Sequence, residues 1–119
     1  MRAAVYDPIE SHNIIYTGHM FPNVQQENWE EWYGDLSDRY PVFFTEWGFE
    51  KDAPEPTPGT ASEFGLPFHK WMTKRGLSWT AWCFDTEWES RMFDAPGPID
   101  HRRRAFMEHD HACRSLRSD

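Results

Sequence analysis

Apolar residues fall along this chain in two alternating rhythms. Between residues 29 and 40, Trp29, Trp32, Tyr33, Leu36 and Tyr40 recur at i, i+3, i+4, i+7 and i+11, with Glu30, Glu31, Asp35 and Asp38 between them. That spacing predicts a helix with one apolar face. Asn28 stands where an N-cap belongs, Glu31 lies three residues on as in a capping box, and Pro41 stops the pattern. A second helix is predicted from Phe64, Phe68, Trp71 and Met72 on one face. Pro67 falls near its first turn, and Lys74, Arg75 and Gly76 form a basic C-terminus with a glycine cap. A last helix is expected over residues 101–116.

The other rhythm is that of short strands. Residues 13–19 (NIIYTGH) are β-branched and aromatic and run into Pro22 and Asn23, which reads as a buried strand entering a loop. Residues 42–46 (VFFTE) are apolar on both faces, the pattern of a parallel sheet, and Trp47 and Gly48 end them. Residues 77–82 (LSWTAW) give a third strand. Residues 52–60 form a proline-rich loop, and 84–98 a long loop carrying Trp88 and Phe93. The strand ends at His19, Glu46 and Trp82 lie 27 and 36 residues apart, which matches βαβ units of about 30 or more residues. An α/β fold is expected, with the Glu46 strand in the middle and the three strand-end residues on one rim.

Composition bounds this picture. The chain has 119 residues, 39% hydrophobic and 17% aromatic, with a mean hydropathy of -0.83, enough to build a core. It is shorter than the roughly 250 residues of a complete (β/α)8 barrel. A net charge of -8 argues against nucleic-acid or anionic-membrane partners. The acids are unevenly spread: residues 101–119 hold five arginines against three acids, and Arg102 to Arg104 read as a solvated helix face. Two cysteines, Cys83 and Cys113, cannot make a disulfide framework. No apolar run approaches the roughly 18 residues of a membrane span, and Asp7 sits where a secretory signal would place its apolar stretch, so no export signal is expected.

Read singly, a Glu after an apolar strand is a solvated carboxylate, a His a satisfied structural residue and a Trp a core residue. Their shared placement at strand C-termini changes that reading, because functional groups of α/β barrels sit there. Residues 13–21 (NIIYTGHMF), 41–48 (PVFFTEWG) and 76–82 (GLSWTAW) resemble the last three strands of glycoside hydrolase family 5, the cellulase family, in order, spacing and residue type. The resemblance covers about residues 12–95. It implies an open parallel sheet made of the last three β-α units of a (β/α)8 barrel, with residues 1–119 as the C-terminal part of the catalytic domain. It further implies retaining hydrolysis of β-linked polysaccharide, with Glu46 as nucleophile, His19 as a contact to the sugar at the cleavage point and Trp82 as its platform. The partner would be a polysaccharide or oligosaccharide, with no cofactor and no metal.

Two positions depart from the family pattern. Phe21 stands where the family usually has a Tyr whose hydroxyl bonds the nucleophile. The acid/base Glu of the family follows an Asn, whereas Asn13, Asn23 and Asn28 precede Ile14, Val24 and Trp29. The 119 residues alone are therefore expected to be inactive, and to self-associate through open sheet edges. A reading from another class is a non-catalytic carbohydrate-binding module using Trp82, Trp47 and Trp88 as platforms; it has no need of Glu46. His101, His109, His111 and Cys113 include zinc-ligand types, but without a CxxC they read as a surface helix. Glu87 and Glu89, flanking Trp88, read as solvated.

Overall fold

Three parallel strands lie side by side in chain order in the computed structural model of the protein, which describes residues 2–83, 85, 87, 88 and 90. They are β1 (Tyr16–Met20), β2 (Val42–Trp47) and β3 (Ser78–Trp79), with β2 in the middle as expected. β1 begins three residues later than the pattern suggests: Tyr16 N–H donates to the Pro41 carbonyl, and Ile15 before it is 54% exposed. Beyond β3 the chain still bonds β2, through Thr80 N–H to Phe44 O (2.9 Å) and Trp82 N–H to Trp47 O (2.8 Å). The expected helix at 101–116, the Arg102 to Arg104 run, the His and Cys cluster near the C-terminus, Phe93 and Glu89 lie outside the described residues.

The first helical run, 27–37, is an α turn at Glu27–Trp29, a π turn at Glu30–Gly34 and an α turn at Asp35–Ser37. Asn28 is not its cap. Its N–H donates to Gln25 O, so helical bonding has already begun, and Gln26 holds the cap position without a side-chain bond. The π turn is closed by Asp35 N–H to Glu30 O. Trp29, Tyr33 and Leu36 are buried while Trp32 stays half-buried.

The second run joins a π turn at Ala61–Gly65 to an α-helix at Leu66–Arg75. Its start is a capping contact that the sequence reading missed: Thr60 Oγ1 accepts from Glu63 N–H (3.2 Å) and donates to Glu63 Oε2 (2.8 Å). Gly76 ends it in the left-handed region (φ 65°), with Gly76 N–H on Thr73 O and Leu77 N–H on Met72 O. This is the glycine stop its sequence predicted.

Arg75 ties the two runs together. Its guanidinium donates to both Glu30 carboxylate oxygens, to Gly34 O (3.1 Å), to Ser37 Oγ (3.1 Å) and to Asp38 Oδ1 (2.9 Å). Trp71 Nε1 donates to the same carboxylate at 2.8 Å. A five-residue helix, Arg2–Tyr6, which no sequence pattern announced, packs on the first run, and Arg39 donates to Val5 O at 2.7 Å.

Both runs cover one face of the sheet. Between them lies an aromatic core in which Phe68 meets Trp29 at 4.9 Å, Phe44 at 5.1 Å, Phe64 at 5.4 Å and Trp47 at 5.6 Å. Tyr33 lies against Phe44 at 4.9 Å, and its ring occupies the space that a Cβ on Gly18 would need. Burial holds the Tyr33 phenol above the usual tyrosine range. The opposite face is not the apolar surface that residues 42–46 suggested. Thr17, His19 and Ser78 there are exposed, and Phe43 and Thr45 are half-buried.

Candidate active site

The site is set by an irregularity in β2. In β1, Gly18 pairs with Phe44 and the next residue, His19, pairs with Glu46, so Thr45 is passed over. On the other side, Thr80 N–H bonds Phe44 O and Trp82 N–H bonds Trp47 O, so two steps along the chain from β3 span three along β2. Both neighbours thus count one extra residue in β2, the signature of a bulge. Strict alternation would put Glu46 on the same face as Phe44, in the aromatic core, where an ionised carboxylate is very costly. With the bulge, Phe44 and Trp47 are both wholly buried on the helix side, and Glu46 keeps 26% of its side chain in solvent.

Glu46 therefore meets His19 across the strand ends, with His19 Nδ1 3.2 Å from Glu46 Oε2. The imidazole is 54% exposed. Thr80 Oγ1 donates to Thr45 O at 2.6 Å, one residue before Glu46. The Trp47 carbonyl brings Trp82 to the same end: the Trp82 N–H donates to it, and the Trp82 carbonyl sits so close to Gly48 that a Cβ there would collide with it. The Trp82–Cys83 peptide bond is cis. The half-buried Trp82 ring lies 5.6 Å from that of Trp88, tilted by 52°, and Trp88 is 62% exposed. Chemically, this rim offers a solvent-reachable carboxylate, an imidazole holding one of its oxygens, and indole surface.

His19 and Glu46 thus meet at one rim of the sheet as the strand-end pattern predicted, and the Trp82 backbone reaches the same end. Trp47 does not join them as a platform: it is fully buried, packed on Phe68, Trp79 (5.3 Å) and the His69 ring (6.4 Å). Burial holds the His69 imidazole below its usual range. Glu87 is exposed, with its N–H on Asp85 Oδ1 (2.6 Å). The Thr80 hydroxyl carried no signal in the sequence, because its partner is a carbonyl 35 residues away. Among the described residues no three His, Cys, Asp or Glu side chains converge on a metal-sized point, and no helix is long and apolar enough to cross a membrane.

Over 97% of its length the chain superposes on the native form of a beta-glucanase from Saccharophagus degradans, with a TM-score of 0.77 and 26% identity, and it covers 38% of that protein. The same beta-glucanase in complex with cellotetraose matches over 92% of this chain and 36% of its own, with a TM-score of 0.72 and 26% identity. Endoglucanase E-5 of Thermobifida fusca is 27% identical over 93 residues, 76% of this chain and 19% of that protein. The resemblance to glycoside hydrolase family 5 holds. No protein-family profile matches the chain. Family 5 likeness thus extends over nearly the whole α/β unit, while the chain spans less than two fifths of these solved relatives and about a fifth of the endoglucanase.

Proposed function

We propose that these residues are the nucleophile-bearing part of a retaining family 5 glycoside hydrolase acting on β-linked glucan. The observation that carries this reading is the His19–Glu46 pair at the sheet's C-terminal rim beside Trp82. In this reading β1, β2 and β3 are the sixth to eighth strands of a (β/α)8 barrel, and residues 1–119 all belong to its catalytic domain. A Glu46 oxygen attacks the anomeric carbon, the bond to the leaving oxygen breaks, and a glycosyl ester forms on the carboxylate. His19 Nδ1 orients that carboxylate and leaves Nε2 for a sugar hydroxyl. The Trp82 indole offers a flat apolar surface to the C–H side of a pyranose. Oligosaccharide is the expected ligand, as cellotetraose is of the beta-glucanase.

Retaining hydrolysis needs a second carboxyl group about 5 to 5.5 Å from the first, to protonate the leaving oxygen. No Asn-Glu pair occurs in the 119 residues, so the reading assigns that acid to polypeptide outside them. Without it, loss of general-acid assistance alone costs about 10² to 10⁴ in rate, and Phe21 supplies no hydroxyl to steady Glu46. The chain alone then shows no turnover of plain aryl β-glucosides. A leaving group that needs no proton separates nucleophile from acid. A fluorosugar β-glycoside of dinitrophenol is expected to add one glycosyl mass to the peptide containing Glu46, and none in Glu46→Gln. Wild-type protein that stays unlabelled, or is labelled elsewhere, overturns the assignment.

A further inference from the structure

We infer that Thr80 is a positioning residue for Glu46: its hydroxyl pins the β2 bulge that turns the carboxylate out of the aromatic core and onto His19. The inference rests on the reading of Glu46 as nucleophile and concerns what holds that side chain in place.

Three observations converge on it. The bulge is the element that separates Glu46 from the core face, because Phe44 and Trp47 are both fully buried with only Thr45 and Glu46 between them. A bulge leaves one residue of the ladder without a cross-strand partner, and here that residue is Thr45, which has no partner in the β1 register. Thr80 grips both sides of the irregularity: its N–H holds Phe44 O at 2.9 Å and its Oγ1 holds Thr45 O at 2.6 Å. Two successive β2 carbonyls are thus fixed by one residue, immediately before Glu46. A hydroxyl supplies the bond that a regular strand would have drawn from a backbone N–H. The peptide carrying Glu46 N–H is oriented by the same contact, since Thr45 C=O and Glu46 N–H belong to one rigid plane.

Glu46 has another neighbour in place. His19 reaches its carboxylate from β1, and Thr80 acts on its backbone from the β3 side. Loss of the hydroxyl therefore frees the peptide plane while leaving His19 present, which makes the expected effect one of geometry and not of fold.

The test compares Thr80→Val, which keeps the β-branched shape and removes the hydroxyl, with Thr80→Ser, which keeps the hydroxyl, both in the 119-residue chain. By NMR, Thr80→Val is expected to weaken the through-space contacts between the His19 ring and the Glu46 methylenes. It should also speed amide exchange at Glu46 about tenfold or more, with core amides such as Phe44 and Met72 unchanged. Thr80→Ser is expected to restore both readouts. Fluorosugar labelling of Glu46 should slow in Thr80→Val and recover in Thr80→Ser. Wild-type contacts and exchange in Thr80→Val overturn the inference, as does a uniform loss of protection that Thr80→Ser shares. Wild-type protein that takes no label, with the NMR differences intact, overturns the nucleophile reading and leaves the positional role of Thr80 standing.

Discussion

On the helix side of the sheet, Phe44, Trp47 and Phe68 are fully buried and meet ring to ring; on the other side Thr17 and His19 are exposed and Glu46 keeps a quarter of its side chain in water. The same three strands serve both faces. The core face is held by dispersion and apolar burial, which tolerate no polar intrusion. The open face carries the chemistry-bearing groups, and its His19–Glu46 contact contributes little to stability, because even a fully charged pair that water reaches is worth about 0 to 1 kcal/mol. What links them is the bulge, which lets adjacent residues serve opposite roles: Trp47 goes inward and Glu46 outward.

The strongest way to break this contrast is to truncate one residue on each face. Phe68→Ala removes the ring that touches Trp29, Phe44, Trp47, Phe64 and Trp71, and is expected to cost about 3 to 5 kcal/mol. That is a large share of the roughly 5 to 15 kcal/mol that holds an ordinary domain together. His19→Ala is expected to change stability by no more than about 1 kcal/mol. Urea titration followed by tryptophan fluorescence measures both. Equal losses would show that the open face is structural after all.

The contrast also explains what the sequence revealed. Helix positions followed from 3.6-residue spacing, because a long amphipathic run repeats its message several times: Phe64, Phe68 and Met72 are all buried as their spacing implied. The glycine stop at Gly76 is likewise local. The π turns were not legible, since a Trp29, Tyr33, Leu36 stripe reads the same whether or not one turn widens; nor was the start at Gln26, whose side chain makes no capping bond. The strand-end residues His19, Glu46 and Trp82 were legible as a motif. Their relative geometry was not, because the bulge at Thr45 depends at once on His19 in β1 and on Thr80 just beyond β3, 26 and 35 residues away along the chain. A continuous apolar run also hid the polarity of the open face, where Phe43 is flanked by Thr17 and Ser78.

A subtler test works at the boundary between the faces. Gly18 lies in β1 beside His19, and an added Cβ would strike the Tyr33 ring. Tyr33 is itself buried against Phe44, so it cannot retreat without disturbing the core. Gly18→Ala is expected to destabilise by about 1 to 3 kcal/mol, the usual cost of overpacking. His19 contacts should be preserved in the fraction that stays folded. A calorimetric midpoint equal to wild type would mean that the Tyr33 ring is not held on the strand.

Edges give a smaller effect. Among the described residues β1 pairs on one side only, and the 54% exposed Ile15 precedes it, an arrangement that invites a second chain to add a strand. We expect concentration-dependent self-association, and Ile15→Lys to weaken it about fivefold, near 1 kcal/mol. Sedimentation across a concentration series decides this. A monomer at every concentration would show that the polar open face and short strands are protection enough.

The smallest expected effect is electrostatic and belongs to the helix side. The Arg75 guanidinium, and then the Trp71 N–H, hold the Glu30 carboxyl below the usual carboxylate range. A carboxylate whose folded pKa is depressed contributes stability above its unfolded pKa and loses it as pH falls through the folded one. The Glu30 side chain is 55% exposed, so water screens the contact and the contribution is expected to stay below about 1 kcal/mol. His69 adds a separate loss at higher pH. Burial lowers its imidazole, so the unfolded chain takes up protons first, and stability begins to fall as pH drops past about 6.5. Glu30→Gln removes the lower limb and leaves the His69 limb untouched. Its deficit should therefore be full at pH 7 and shrink as pH falls through and below the ordinary glutamate range, as the wild-type carboxyl takes up its proton. Thermal midpoints across that range in low and high salt measure it, with salt shrinking the deficit at pH 7. A deficit that persists unchanged at low pH would mean that Glu30 joins the two helical runs by packing and neutral hydrogen bonds, and that its charge contributes nothing to the core face.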